Sequence, residues 1–288
     1  MKTQTALRLL AIVRMTARAG AFVALTVLLV PPYLLVYPLG RLGRDGIARL
    51  YFRGCVALTG LRLRVSGATN AGAANRDGPV LFVANHVSYL DIPVLGALCR
   101  GTFIAKGEVS RWPVFGPLAR LSGTVFVSRI NATLNDERNI LAERLNAGEN
   151  FFLFPEGTSS DGSLVGPFKS ALFSPAHMRN TLALRVQPVT IAYATDRKGR
   201  RLGPVERDRY AWYGDMEMFG HLLRVFMLPG AIVDVRFHRA VAAHDFADRK
   251  TLAQHSHDAV SRGLSDILGR PRDGAAADRA TLYDAAAE

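Results

Sequence analysis

Two short stretches of this chain, residues 80–84 and 151–154, are apolar at every position and then stop abruptly at polar clusters. A strand wetted on one face alternates apolar with polar side chains, so an unbroken apolar run of this length requires cover on both faces. The intervening sequence supplies the cover. Residues 92–98, 112–121 and 134–145 read as helices, separated by strand-like segments at 102–105 and 124–127. Strand and helix in alternation specify an α/β fold with a largely parallel central sheet flanked by helices. Later strands are expected at 186–194 and 231–237, with an apolar helix at 216–228 between them and a last helix over 246–268. Residues 61–65, alternating Leu and Val with Arg, read as an edge strand, and the Gly-, Ala- and Asn-rich residues 66–79 as a loop.

The chain before this core has a different character. Residues 19–40 run 22 positions without a charge, a length that can cross a bilayer. Pro31, Pro32 and Pro38 interrupt the run, so the expectation is either a kinked span or a re-entrant or interfacial hairpin, followed after the anchor by a helix at 43–59. A cleaved signal peptide does not fit, because prolines follow the apolar stretch where a small-residue cleavage site belongs. Of the formal charge of +12, a net +9 falls within residues 1–64, where ten basic residues face the single acid Asp45. Basic charge woven into apolar sequence suits an anionic membrane surface. Nucleic acid is excluded as a partner, since no helix-turn-helix, zinc spacing or aromatic–basic repeat accompanies the charge. Cys55 and Cys99 make neither a disulfide framework nor a metal pattern and suit a reducing, cytoplasmic compartment.

Chemistry-bearing residues gather where the two apolar runs end, the side of an open α/β sheet on which ligands bind. Beyond the first run stands Asn85-His86-Val87-Ser88-Tyr89-Leu90-Asp91. A turn entering a helix can fold Asp91 back onto the His86 imidazole, fixing its tautomer and leaving the other ring nitrogen to accept a proton. The same spacing also suits a helix cap supported by a turn carboxylate. No second His or Cys stands at ligand spacing, so no metal is expected. Beyond the second run stands Phe154-Pro155-Glu156-Gly157-Thr158-Ser159-Ser160-Asp161-Gly162, a small-residue loop whose backbone N–H groups can hold an anion or a developing oxyanion. There is no Gly-x-Ser-x-Gly elbow, and the glycines make neither a Walker nor a dinucleotide fingerprint.

These blocks resemble the glycerolipid acyltransferase family, whose members acylate lysophospholipids such as 1-acylglycerol-3-phosphate. Asn85 to Asp91 is similar to the family's first block, with His, four residues, then Asp. Phe154 to Thr158 is similar to its Phe-Pro-Glu-Gly-Thr block, and Glu156 lies 70 residues beyond His86. Lys106, Glu108, Pro113 and Gly116 resemble a Lys-x-Glu…Pro…Gly block, Gly123 to Arg129 a Gly…Arg block, and Val186-Gln187-Pro188-Val189 a Val-x-Pro-Val block. The blocks agree in order and interval over about residues 60–195, and an N-terminal anchor is also expected of the family. Residues 60–268 are read as the acyltransferase domain, 1–59 as a membrane-associated region, and 269–288, rich in Ala, Asp and Arg, as a flexible tail. The resemblance implies His86 as general base and Asp91 as its orienting carboxylate. The acceptor hydroxyl would then attack acyl-CoA or acyl carrier protein directly, without an acyl-enzyme and without a bound cofactor. Arg129, Glu156, Gly157, Thr158, Ser159, Ser160, Asp161 and Lys169 are the implied acceptor-binding residues. A competing class, a lipid-binding or transfer protein without chemistry, does not explain the His86–Asp91 pair.

One departure bears on the acceptor. The family's third block usually continues Gly-Thr-Arg-Ser, the arginine suiting a phosphate monoester. Here Ser159 takes that place and Asp161 follows. This string, with Ala211-Trp212-Tyr213-Gly214-Asp215-Met216, resembles the bacterial branch that acylates lyso-ornithine lipid, a zwitterionic acceptor with a free amine and a 3-hydroxyacyl hydroxyl. Asp161 or Asp215 can pair with that amine, or serve only a turn or a cap. Arg129 and Lys169 keep lysophosphatidic acid as the alternative acceptor. The expected location is the bacterial inner membrane, with the site on its cytoplasmic side. Trp112, Trp212 and Tyr213 suit either a bilayer interface or core packing. His177, His221 and His238 read as structural or surface residues, and helix 216–228 as either the wall of an acyl-chain tunnel or a cover for the sheet.

Overall fold

The computed structural model describes residues 2–69, 78–127, 134–177 and 184–270. Helix α1 (Lys2–Val36) leads through a short 3-10 turn into α2 (Arg41–Leu58) and the edge strand β1 (Arg62–Ser66). Then come β2 (Val80–Ala84), α3 (Asp91–Leu98), β3 (Thr102–Lys106), α4 (Phe115–Leu121), β4 (Val125–Val127), α5 (Leu134–Asn146) and β5 (Phe151–Leu153). After a 3-10 stretch at Ser170–His177 follow β6 (Arg185–Asp196), α6 (Pro204–Asp208), α7 (Met218–Met227), β7 (Ala231–Phe237), the two-residue β8 (Val241–Ala242) and α8 (Arg249–Leu268).

The described strands form one sheet in the order β1-β7-β6-β2-β5-β3-β4, with β8 beside β6. β6, β2, β5, β3 and β4 pair in parallel, while β7 runs against β6 and carries β1 with it. The sheet is thus mostly parallel with an opposed edge. Alternate residues of β2 serve different cores: Val80, Phe82 and Ala84 enter one apolar cluster, Leu81 and Val83 the other. That division is why the run is apolar throughout, and all five residues are buried.

Three expectations need correction. Pro31 and Pro32 do not end the N-terminal helix, which continues to Val36. A proline inside a helix costs about 3 kcal/mol, but these two lie in the closing turns, and docking of those turns offsets the loss. Tyr33 is buried there, donates its hydroxyl to Leu121 O at 3.0 Å and packs edge-on against Tyr37. Pro113 shortens the helix expected at 112–121. The chain makes a tight turn with Phe115 N–H on Pro113 O and Val114 at φ +63° before α4 begins. The tail expected from residue 269 starts as ordered chain. Gly269 closes α8 in the left-handed region at φ +65°, and the Arg270 guanidinium donates to Ser163 O. Residues 271–288 lie outside the described part.

α1 and α2 pack as a helical hairpin against α3 and α7. Gly96 of α3 has no side chain because the Phe52 ring of α2 occupies that space. Arg14 and Arg18 donate to the carbonyls of Phe226, Met227 and Leu228, the unsatisfied acceptors at the end of α7. One side of α1 is therefore held by the body from Arg14 to Tyr33, about 28 Å of helix. Its other side exposes Leu9, Val13, Val23, Val27, Leu28 and Leu35. By length and composition, Gln4–Val36 is able to cross a membrane.

Candidate active site

β2 and β5 are adjacent, so the polar segments that follow them meet at one end of the sheet. Asn85 ends the β2 ladder with its side chain. Its Nδ2 donates to Ile191 O at 2.9 Å, and its Oδ1 accepts from Ile191 N–H at 2.8 Å. The next residue, His86, is thereby released from the sheet at a fixed point, and α3 begins at Asp91 with that carboxylate in its first turn.

Asp91 is fully buried and saturated with donors. Oδ2 receives His86 Nδ1 at 2.9 Å and the amides of Val87 and Ser88 at 2.7 and 2.9 Å. Oδ1 receives the Tyr193 hydroxyl at 2.8 Å. Burial, then the Asp91 charge, hold the Tyr193 phenol well above its ordinary pKa, so it remains a donor. With Nδ1 committed to Asp91, the proton of a neutral imidazole sits there and Nε2 presents a lone pair. Nε2 makes no hydrogen bond among the described residues. The ring stacks on Phe154, with centroids 4.0 Å apart and planes 16° from parallel. The histidine thus has a set tautomer, a set ring plane and one open nitrogen.

Glu156, expected among the acceptor-binding residues, makes two main-chain contacts within the protein. It is buried, its Oε1 accepts the His86 backbone N–H at 2.7 Å and its Oε2 accepts the Gly166 N–H at 2.8 Å. It ties two loops together. Burial pushes its pKa up to about 8, the Asp91 charge adds to the rise, and the two N–H donors oppose it. Within the same loop, Gly157 sits at φ +69° with Lys169 Nζ over it, 2.8 Å from where a Cβ would stand. The loop's backbone donors are partly used internally: Gly157 N–H bonds Phe154 O and Ser160 N–H bonds His86 O. The amides of Thr158 and Ser159 have no partner among the described residues and remain available to an oxyanion. Asp161 is exposed and accepts the Ser163 amide at 2.8 Å in a turn, while Arg129 lies outside the described residues.

Beside this site lies an apolar cavity of about 210 Å³. Tyr89 and Leu90 of the His86–Asp91 block and Ile92 just after it form one wall, with Phe22 and Tyr51 of the hairpin and Leu222 of α7 among the others. The α7 question therefore has a double answer: its Leu222 and Phe226 are buried, and both also face the cavity. Trp112 and Trp212 pack edge-on against each other at 5.6 Å. His221 bonds the Tyr89 hydroxyl and His238 the Thr190 hydroxyl, and burial lowers the pKa of both rings.

Tyr193 is the residue sequence reasoning missed. Within a buried strand it reads as core, and the only hint is that a buried phenol needs a hydrogen-bond partner.

The acyltransferase family model matches residues 62–192. The chain is 38% identical over 265 residues to the lyso-ornithine lipid O-acyltransferase of Brucella abortus, covering 90% of this chain and 97% of that one. It is 36% identical over 280 residues to the enzyme of the same name from Rhizobium meliloti, covering 95% and 94%. Against the 1-acyl-sn-glycerol-3-phosphate acyltransferase of Neisseria gonorrhoeae the identity is 33% over 193 residues, 65% of this chain and 70% of that one. In fold it is similar to the crystal structure of PlsC, the 1-acyl-sn-glycerophosphate acyltransferase of Thermotoga maritima. The TM-score is 0.64 at 23% identity, with 91% of this chain and 97% of that one covered.

Proposed function

We propose that this chain, which belongs to the lysophospholipid acyltransferase family and is an acyltransferase acting on lysolipids, transfers a fatty acyl group from an acyl thioester to the hydroxyl of lyso-ornithine lipid. The observation that carries the chemistry is the His86 imidazole, held through Nδ1 by a fully buried Asp91 with Nε2 open. Nε2 takes the proton of the acceptor hydroxyl as its oxygen bonds to the thioester carbonyl carbon. The tetrahedral oxyanion meets the free amides of Thr158 and Ser159. When the C–S bond breaks, the thiolate of CoA or acyl carrier protein takes the proton back from Nε2. No acyl-enzyme forms, because a thioester already carries a good leaving group and needs only a base, orientation and charge stabilisation.

The apolar cavity that starts at Tyr89 and Leu90 accommodates an acyl chain within reach of the base. The exposed apolar side of α1 and the basic residues around it support work at an anionic membrane surface, on the cytoplasmic side where the thioester donors are. The acceptor assignment rests on the two relatives matched over nearly their whole length and on Ser159 in place of a phosphate-binding arginine.

The test gives purified protein one labelled acyl donor with lyso-ornithine lipid and lysophosphatidic acid side by side. Preferential acylation of lyso-ornithine lipid is expected, and equal or greater turnover of lysophosphatidic acid overturns the assignment. His86→Ala should abolish transfer while leaving folding and membrane recovery intact, and turnover retained in that variant removes His86 as the base.

A further inference from the structure

Three segments converge at the rim beside His86. The 160–163 loop lies against the catalytic turn: Ser160 N–H donates to His86 O at 3.0 Å, and a Cβ on Gly162 would come 2.9 Å from Val87 Cγ1. The segment after α6 reaches the same turn, where Trp212 N–H donates to Val87 O at 2.9 Å. The end of α8 closes the third side. Val165 joins Ile267 and Leu268 in packing on the small cluster of Ala192, Ala194 and Leu264, and the left-handed Gly269 turns the chain so that Arg270 Nη1 donates to Ser163 O at 2.5 Å.

The charges brought there do not neutralise one another. Arg207 of α6 is partly buried and makes no side-chain hydrogen bond or ion pair among the described residues. It stands in the fields of Arg270 and Asp161, and burial and the Arg270 charge lower its pKa. The acids beside it in sequence are engaged elsewhere: Asp208 accepts the Tyr213 hydroxyl at 3.0 Å, and Glu206 pairs with Arg200 at 2.7 Å. Asp161 commits Oδ1 to the Ser163 amide, and its other oxygen has no partner among the described residues. Two guanidinium groups and one half-free carboxylate are thus carried on segments that meet at the catalytic turn, with Arg270 and Asp161 both bonded to the Ser163 main chain and Arg207 near enough to feel both charges. A partly desolvated guanidinium beside another cation favours an anion. A lone phosphate answers that need but is repelled by Asp161. A headgroup with one carboxylate and one ammonium satisfies both.

We propose that this rim is a zwitterion-binding headgroup site, in which Arg207 and Arg270 hold the acceptor's carboxylate and Asp161 holds its ammonium. The inference rests on the lyso-ornithine lipid reading and adds the residues that select that acceptor. They are not the positions the family pattern implies, apart from Asp161. The site fixes the headgroup while the hydroxyl on the acyl arm reaches Nε2.

The experiment measures kcat/KM for lyso-ornithine lipid and for lysophosphatidic acid, and KM for the acyl donor, in the wild type, Arg207→Gln and Asp161→Asn. The asparagine retains an oxygen for the Ser163 amide, and thermal melting verifies that both variants fold. Asp161→Asn should shift the ratio of the two kcat/KM values at least about 10-fold toward lysophosphatidic acid, by loss of one charge-assisted contact. Arg207→Gln should lower kcat/KM for both acceptors and leave the donor KM unchanged. Unchanged acceptor parameters in both variants, with wild-type activity on lyso-ornithine lipid intact, overturn the headgroup site alone. A raised donor KM with unchanged acceptor parameters also overturns it, since the patch would then bind the thioester carrier. A wild type that ignores lyso-ornithine lipid overturns this site and the acceptor assignment together.

Discussion

Two buried carboxylates grip the same histidine, and they do so from opposite sides. Asp91 bonds the imidazole of His86, while Glu156 bonds its backbone amide. Both are nearly sealed from water, at 0% and 5% exposure, so burial does not tell them apart. Their partners do. Asp91 gathers four donors, one of them the His86 ring and another the phenol of Tyr193. Glu156 joins two main-chain N–H groups, that of His86 70 residues before it and that of Gly166 ten residues after it. In the proposed mechanism one carboxylate adjusts the charge and tautomer of the base, and the other fixes where the base stands. Contact with the same histidine does not by itself give two carboxylates the same role.

The substitution that tests this division most severely is Asp91→Asn. An asparagine can keep its oxygen toward the three donors at Oδ2 and turn its amide to the Tyr193 oxygen, so the shape survives and the charge is lost. If Asp91 stabilises the imidazolium, kcat should fall about 10³- to 10⁴-fold, with the melting temperature changed far less than activity. Steady-state turnover with a saturating acyl donor measures it. A loss under about 10-fold would place Asp91 with Glu156 as a loop tie and dissolve the comparison.

The Asp91 side of the pair was legible in the sequence because its partner is local. Five residues and a helix start bring His86 and Asp91 together, and the apolar runs before His86 and Glu156 mark both sites as strand ends. The helices and strands of the parallel part follow from the same periodicity. What stayed hidden depends on distant contacts. Tyr193 lies 102 residues from Asp91 and reads as core until the sheet pairs β6 with β2. The contact of Glu156 with the His86 amide at 2.7 Å spans 70 residues and has no local mark in the sequence. The antiparallel β6–β7 pairing carries no local mark, since a mostly buried strand looks the same in either direction. The survival of α1 through Pro31 and Pro32 depends on tertiary packing around Tyr33, which no propensity records.

Glu156→Gln gives a smaller but broader effect. The amide nitrogen of glutamine must face one of the two backbone N–H groups, leaving a buried donor unmatched at about 1–3 kcal/mol. We expect a melting temperature lower by about 5 °C at pH 6 and a turnover lower by about 10-fold. The pH dependence separates this role from that of Asp91. Folding raises the Glu156 pKa from 4.5 to about 8, so the folded state retains a proton that the unfolded state has lost between those values. The associated stability is complete below pH 4.5 and is lost as the pH rises through about 8. Thermal melts from pH 5 to 8.5 should show a wider gap between wild type and variant at the acid end than at the alkaline end. A gap that widens with pH would mean that the ionised carboxylate is the form the fold prefers.

The finest adjustment falls to Tyr193, whose hydroxyl tests whether Asp91 is itself held in check. Tyr193→Phe preserves the ring, which stacks on Tyr210 with centroids 5.8 Å apart, and removes only the donor to Oδ1. An Asp91 carboxylate with one donor fewer keeps more negative charge for the imidazole and is less firmly oriented toward it. Turnover at neutral pH should fall about 3- to 5-fold, with a change in the pH profile. The measurement is the pH profile of kcat/KM from pH 5 to 9. A lower turnover with the profile in place would show that Tyr193 only fills the core. A shifted profile would make it the third member of the His86–Asp91 unit, acting through the carboxylate and never touching the substrate.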